Sequence, residues 1–115
     1  VVIDDTDTSI LASNVLNYVW KNLHEREKLV LRALAESLGS ESEEDFAEIL
    51  RTEINYKNFK KAIKSLRKLN LIIQKRGTVY IELHPLVKEF IRYNYISEER
   101  NVYISLLINY YDKML

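Results

Sequence analysis

The chain lacks cysteine and contains few of the residues that interrupt regular structure. Its 115 residues include no cysteine, one proline and two glycines. Without cysteine there is no disulfide framework and no cysteine-based zinc site, and the two histidines lie far apart, so we expect no metal site and a cytoplasmic location. Two isolated glycines cannot build a phosphate-binding loop, and so few turn residues predict a mostly helical fold.

Charge and motifs exclude further classes of protein. The 17 basic and 17 acidic residues cancel, which argues against a chain-wide nucleic-acid or membrane surface. No secretory signal precedes the first helix and no serine-nucleophile motif occurs, while the acids from Glu41 to Glu48 are typical of a solvated helix start. We therefore predict no catalytic activity. Because the chain starts with Val1, we interpret it as part of a longer protein.

Hydrophobic periodicity predicts helices along most of the chain. We expect Gly39 to end the second helix, and Ser42, Asn55 and Ser97 to cap later ones. The fourth helix has the clearest pattern, because its apolar stripe and its basic stripe lie on opposite sides. The predicted helices cover about 10–22, 25–38, a segment after Ser42, 56–69, a segment from Pro85, and a last one from Ser97.

A β-hairpin is predicted between the fourth and fifth helices. "LII" and "TVYIEL" read as strands, with "QKRG" as the turn that Gly77 can enter at positive φ. Val79, Ile81 and Leu83 share one face of the second strand, which we expect to cover the helical core. Three helices followed by a hairpin predict a winged helix-turn-helix over residues 23–96, with a lead-in at 1–22 and a further helical region at 97–115.

A basic stripe on the fourth helix and the hairpin is the strongest electrostatic feature. From residue 57 to residue 76 there are eight basic and no acidic residues. The stripe could follow a nucleic-acid backbone, or it could be a solvated face that keeps the domain soluble. The second interpretation is favoured, because charged helix faces are common. Side chains suited to reading base edges are scarce, so any contact with nucleic acid would lack sequence preference. The candidate contacts are Lys57, Lys60, Lys61, Lys64, Arg67, Lys68, Lys75 and Arg76.

The C-terminal segment "NVYISLLINYYDKML" is apolar on nearly every side but too short to span a bilayer. A helix of this kind must be covered on every side. It could fold back wholly onto this domain, but we favour contact with a neighbouring domain, a helical repeat or a partner chain.

His84 stands at the junction between the last predicted strand and the helix that begins with Pro85. A histidine in this position could simply cap the helix. It also lies near the positive end of the helix dipole, beside unpaired backbone N–H groups, where a phosphate brought by another domain could be bound. His24 has no supporting context and is interpreted as structural.

Three segments together resemble a known family. "LHEREKLVLRALA", "AIKSLRKLNLI" and "YIELHPLVKEFIR", in that order over residues 23–95, resemble the winged-helix domain of STAND-class signalling NTPases, the relatives of the NB-ARC and NACHT ATPases. The most specific part is "LHPLVKEFIR", directly after the second strand of the wing.

This resemblance implies a role for His84. Leu83 and His84 take the first two positions of the family's methionine–histidine–aspartate motif, while Pro85 stands where many relatives have aspartate, a version we expect in prokaryotic members. His84 would then contact a phosphate of ADP held by a separate ATPase domain and stabilise the resting state. ADP or ATP would be the cofactor of the parent protein, and the isolated chain would have none.

The resemblance also implies partners within the same protein. Residues 1–22 would close the ATPase module, and residues 97–115 would begin a helical-repeat region. The alternative functions are a DNA-binding winged helix of a transcription regulator and a purely structural or protein-interaction module. A P-loop upstream in the full reading frame would favour the STAND-type module. The absence of a P-loop from a short gene would favour the DNA-binding winged helix.

Overall fold

The computed structural model describes residues 5–75 and 77–114, with side chains for 14–75 and 77–114. These residues form six helices and one three-stranded antiparallel sheet, which confirms the prediction of a mostly helical chain with a small β element. In chain order the elements are α1 (Asp5–Asn22), α2 (Glu25–Leu34), β1 (Glu41–Ser42), α3 (Glu43–Ile49), α4 (Tyr56–Lys68), β2 (Ile72–Gln74), β3 (Tyr80–Leu83), α5 (Pro85–Asn94) and α6 (Ser97–Met114).

Helix α2 ends four residues earlier than its hydrophobic pattern predicted. Its last residue is Leu34, whose carbonyl accepts a hydrogen bond from the Ser37 hydroxyl at 2.8 Å. The Lys88 ammonium of α5 then donates to the Ser37 carbonyl at 2.9 Å. The backbone tightens at the same point, where the Glu36 amide bonds the Ala33 carbonyl at 3.1 Å. The helix stops without reaching Gly39, and Leu38 is fully exposed rather than part of an apolar face.

The recurring apolar positions of α4 do form the centre of the core. Asn55 caps the helix, its side chain accepting from the Asn58 amide at 2.8 Å. Leu69 is an exception to the predicted stripe, since it lies past the helix end and is half-exposed. The residue after it, Asn70, takes φ 59°, and the Leu71 amide bonds back to the Leu66 carbonyl at 3.1 Å. This left-handed residue turns the chain out of the helix and into β2.

The sheet contains a strand that the sequence pattern did not predict. β1 pairs with β3 through Glu41 opposite Ile81 and Ser42 opposite Tyr80, so the strand order is β1-β3-β2. Two residues are too few for an alternation to be detected. The expected hairpin is thus two strands of a three-stranded sheet.

Val79 lies outside the core, contrary to the predicted alternation. β3 begins only at Tyr80, and Ile81 and Leu83 are buried whereas Val79 is 61% exposed. The hairpin turn extends to Val79, since the Thr78 amide bonds the Lys75 carbonyl at 3.0 Å. The Val79 carbonyl accepts instead from the first amide of α3 at 3.1 Å. Its backbone therefore joins the sheet to α3 while its side chain faces away from the core.

The core fills the space between α2, α3, α4 and the sheet. Phe46 of α3 and Phe59 of α4 meet at its centre, both fully buried, with ring centroids 6.2 Å apart. Helix α5 adds Val87 and Ile91 to the same cluster. At the other side of α5, Trp20 of α1 packs edge-on against Phe90 at 6.2 Å. The flanking helices are thus continuous with the core.

Helix α6 folds back along α2 and α3, but it covers only part of its apolar surface. It begins at Ser97, and the Arg100 amide bonds the Ile96 carbonyl at 3.1 Å, so Ile96 rather than Ser97 holds the N-cap position. Leu107 is buried, while Val102 and Ile108 are more than half exposed. One side of α6 therefore contacts this domain and another side remains accessible to a neighbour.

Polar contacts hold α6 in place. Arg100 forms two hydrogen bonds with the Glu36 carboxylate, at 2.7 and 3.0 Å. The Arg32 guanidinium of α2 stacks over the Tyr95 ring at 3.9 Å and lies 5.1 Å from the Tyr103 ring. Its Nη2 also donates to the Glu99 carbonyl at 3.2 Å. The contact between α2 and α6 is thus specified by charge as well as by apolar packing.

Candidate functional site

His84 is the N-cap residue of α5. Its Nδ1 accepts a hydrogen bond from the Leu86 amide at 3.2 Å, and its own amide donates to the Leu71 carbonyl at 3.3 Å. Pro85 occupies the first helical turn, where its missing N–H leaves no unpaired donor. The strand, the imidazole and the helix start are therefore locked together, which is the local structural role that the sequence allowed for this histidine.

The cap also determines which ring nitrogen of His84 carries a proton. A backbone N–H can bond Nδ1 only if that nitrogen is unprotonated, so the neutral imidazole has its proton on Nε2. No described residue accepts a hydrogen bond from Nε2. With Nδ1 engaged in the cap, Nε2 is the ring nitrogen of His84 that is left to donate to an acceptor such as a phosphate oxygen.

His24 occupies the equivalent position in α2. It is the N-cap residue, and its amide donates to the Glu27 carboxylate three residues later at 3.4 Å. Sequence reasoning found no context for it beyond a structural role. The missed signal was the Glu three residues after the cap, the spacing of a capping box.

Four lysines of α4 form an exposed row on the side of the helix opposite the core. Their spacings of four, three and four residues confine them to an arc of about 60° along about 16 Å of helix. No described acidic residue forms an ion pair with any of them. This set, called the lysine ridge below, consists of Lys57, Lys61, Lys64 and Lys68, all exposed.

Two of the predicted contact residues on α4 are engaged inside the protein instead. Lys60 lies 3.3 Å from carboxylate oxygens of both Glu43 and Glu44, and Arg67 lies 3.1 Å from Glu43. Partial burial disfavours the charged form of Lys60, but the two glutamates outweigh it and raise the pKa of Lys60. The acidic start of α3 thus takes these two cations away from the surface that a ligand would meet.

The remaining predicted contacts lie in the hairpin turn. Lys75 follows β2 and is exposed, while Arg76 falls outside the described residues. The turn itself is held by the Thr78 hydroxyl, which donates to the Lys75 carbonyl at 2.8 Å.

Two tyrosines of α6 bond carboxylates at the edge of the sheet. The Tyr110 hydroxyl donates to Asp45 at 3.0 Å, and the Tyr111 hydroxyl donates to Glu41 of β1. Burial raises the pKa of Glu41, the Tyr111 bond acts against this, and the Asp45 charge adds to it, so the net direction is upward from 4.5. A carboxyl with a raised pKa in the folded state favours folding most when it is protonated.

We expect this carboxyl to make stability depend on pH. Its contribution should be complete below pH 4.5, the ordinary value, and should decline as pH rises through the higher pKa of the folded state. Glu41→Gln keeps an acceptor for Tyr111 but cannot ionise. Its stability relative to wild type, measured as the free energy of unfolding, should therefore be higher at pH 7 than at pH 4. Urea unfolding at both pH values measures this.

Tyr111→Phe provides the matched comparison for Glu41→Gln. It removes the hydrogen bond that favours the ionised carboxylate, so the decline in stability between pH 4 and pH 7 should become steeper than in wild type. An identical pH dependence in wild type and Glu41→Gln would show that this carboxyl does not titrate in the way proposed.

The described residues contain no group of three or more His, Asp or Glu side chains positioned to hold a metal ion. Within the same part of the chain, no helix combines the length and apolar character needed to cross a bilayer.

Comparison of the chain with protein-family models, with curated proteins and with solved structures found no match.

Proposed function

We propose that this chain is a non-catalytic winged-helix module that regulates a STAND-type signalling NTPase through contacts with neighbouring domains of the same protein in the cytoplasm. The observation that carries the proposal is the order of elements. Residues 25–83 run helix, strand, helix, helix, strand, strand with sheet order β1-β3-β2, and this order supports the assignment to a winged helix. Directly after the last strand, His84 starts a helix packed on the same core.

The state of His84 supports the regulatory role. The Nε2–H that the cap leaves available is a donor, and a nucleotide phosphate is an acceptor. Because hydrogen bonds to Leu86 of α5 and to Leu71, just before β2, hold the residue, a phosphate could be bound without any rearrangement of the helix start. A coupling of only 1–3 kcal/mol between such a contact and the resting state would shift populations by about 5- to 150-fold.

Exposed apolar side chains on α6 support contact with a neighbouring domain. Val102, Ile108 and Met114 are each more than half exposed. The lead-in helix α1 likewise exposes Val15 and Tyr18. These surfaces lie on the elements that the resemblance assigns to the junctions with the ATPase module and the helical repeats.

Substitutions at His84 that separate capping from phosphate contact test the proposal. His84→Asn keeps a side-chain acceptor for the helix start, but its shorter side chain places no donor at the position of Nε2, whereas His84→Ala removes both groups. In the chain alone, we expect His84→Ala to lower the free energy of unfolding by about 0.5–2 kcal/mol and His84→Asn to lower it by less. Neither the wild-type chain nor either variant should bind ADP measurably by calorimetry.

In the longer protein that the proposal requires, the same two variants should behave alike. Both should retain less ADP through purification and show higher basal signalling than wild type, because neither places a donor at the position of Nε2. Retention of ADP by His84→Asn at the wild-type level would leave His84 with its capping role alone. A full reading frame without a P-loop would reject the STAND assignment independently of His84.

A second candidate function is binding to a nucleic-acid backbone, and the lysine ridge is the specific observation in its favour. The ridge lies on α4, the helix that DNA-binding winged-helix proteins insert into the major groove. Beside the four lysines, α4 offers only Asn58 and the ion-paired Arg67 for reading base edges, which favours contact without sequence preference. This candidate ranks below the regulatory role, because the net charge of the chain is zero.

If the ridge binds duplex DNA, the affinity should be weak and strongly salt-dependent. We expect a dissociation constant of roughly 10⁻⁴–10⁻⁶ M at physiological salt, with no preference among sequences. Replacing Lys61 and Lys64 with Gln should reduce the log–log salt slope by about 2, because each lysine neutralises one phosphate. Fluorescence anisotropy over a series of salt concentrations measures the slope.

The control replaces two exposed lysines away from the ridge, Lys21 and Lys113, with Gln. This removes the same charge but should leave the slope unchanged. Equal losses in both double variants would indicate general electrostatic attraction, and nanomolar binding to one preferred sequence would favour a transcription regulator over the regulatory module.

A further inference from the structure

A cleft beside the first half of α2 is lined by cationic, aromatic and apolar side chains. Its volume is about 460 Å³, and it is lined by the first half of α2, the α3–α4 connection, the start of α4, the junction between α5 and α6, and the first half of α6. The volume falls within the range of small-molecule sites and exceeds what a bare inorganic ion would fill. Leu29 and Ile54 supply apolar wall, and Tyr95 and Tyr103 supply aromatic wall.

Arg26 is the residue in this cleft whose hydrogen bonding is incomplete. Its Nε is buried, yet no described group accepts a hydrogen bond from it, and no described carboxylate forms an ion pair with its guanidinium. A buried donor without a partner costs roughly 1–3 kcal/mol. A ligand could reach this guanidinium only through its terminal Nη groups, because they are not buried and Nε is. Paired N–H donors of a planar guanidinium match carboxylate and phosphate groups.

The other polar groups of the cleft are already oriented by neighbours. Arg32 is held between the rings of Tyr95 and Tyr103 and by the Glu99 carbonyl. Lys28 lies 3.5 Å from Glu25, and the only other acid in the lining is Glu53. Three cations therefore face two acids, which leaves an excess of about one positive charge in a cleft of a protein whose net charge is zero.

We propose that this cleft binds a small organic oxyanion, a carboxylate or a phosphate monoester, with its charged group on Arg26 and its apolar part against Leu29 and Ile54. Arg32 adds a second, fixed positive charge. Asn58 also lines the cleft, and its side-chain amide supplies a neutral donor there. Its backbone amide is already bonded to the Asn55 side chain. This site is separate from His84 and from the lysine ridge, so it does not depend on the function proposed above.

Titration of the chain with benzoate and with phenyl phosphate tests the site. Chemical shifts of the backbone amides of α2 and of residues 53–58 should move with saturation for at least one of the two probes. The comparison of the two probes distinguishes a carboxylate from a phosphate ligand. Phenol, which keeps the ring but lacks the charge, should bind at least about tenfold more weakly, since a charge-assisted hydrogen bond contributes about that factor.

Arg26→Gln should weaken binding of the charged probe about tenfold or more. Arg26→Lys keeps the charge but loses the paired N–H donors, so its affinity should lie between those of wild type and Arg26→Gln. Arg51→Gln is the control, because Arg51 is an exposed arginine on the neighbouring loop and is absent from the cleft lining. Equal weakening by Arg26→Gln and Arg51→Gln, equal binding of phenol, or no saturable shift with either probe would each overturn the proposal. Arg26→Lys serves the same test if Arg26→Gln fails to fold.

Discussion

Replacing Leu66 with alanine should lower the free energy of unfolding by about 2–5 kcal/mol. Leu66 is completely buried in α4, among the residues that join this helix to α2 and to the sheet. Its deletion removes apolar contacts and leaves a cavity that the surrounding close-packed side chains can fill only in part. Urea unfolding followed by circular dichroism measures the change in a single cooperative transition.

Val79→Ala is the matched control for this substitution. It also removes methyl groups from an aliphatic residue, but Val79 is 61% exposed and its backbone, not its side chain, joins the sheet to α3. We expect its effect to stay within about 0.5 kcal/mol. Equal losses for the two variants would contradict the placement of α4 and of the hairpin turn described here.

Replacing Arg100 with alanine should lower the free energy of unfolding by about 2–4 kcal/mol. The Glu36 side chain is only 4% exposed and both of its oxygens bond Arg100. Without the arginine, a buried carboxylate would lose its counter-charge and its donors, which costs more than the pair contributes when intact. The same bonds raise the pKa of Arg100 from its ordinary value, although partial burial acts against them.

Amide hydrogen exchange locates this effect in the structure. Because Arg100 joins α6 to the end of α2, amides of α6 should lose protection first in Arg100→Ala.

Combining Glu36→Gln with Arg100→Ala removes the uncompensated charge and should recover part of the lost stability. Arg51→Ala is the control, since Arg51 Nη1 and Glu48 Oε1 lie 3.2 Å apart on two exposed side chains, and such a pair should contribute at most about 1 kcal/mol. A loss for Arg100→Ala as small as for Arg51→Ala would show that the pair does not hold α6.

The elements that could be predicted from the sequence are those in which one local rule acts alone. Helix α4 shows this best, because its apolar residues, its basic residues and its Asn55 cap all specify one helix with one buried side. The caps at Ser42 and Asn55 followed from the chemistry of the residues themselves. His84 was predicted to stand at a strand–helix junction, and its cap bond has that geometry.

The predictions failed where partners distant in sequence decided the outcome. β1 is two residues long and exists only because β3 offers unpaired backbone groups beside it. The end of α2 depends on Ser37 and on Lys88, which lies 51 residues further along the chain. The division of the basic stripe into a surface ridge and internal ion pairs likewise depended on where the start of α3 lies against α4.

The sequence by itself determined the helical class, the main helices and the hairpin, because periodicity and capping act within a few residues. The tertiary structure alone decided which charges remain accessible and which groups surround each cleft. Arg26, Arg32 and Arg100 look alike in the sequence, yet one lines a cleft without a described acceptor at its Nε, one lies between tyrosine rings, and one neutralises Glu36. Their difference arises from the packing of α6 and the α3–α4 connection against α2, and such contacts between distant segments leave no periodic signal in the chain.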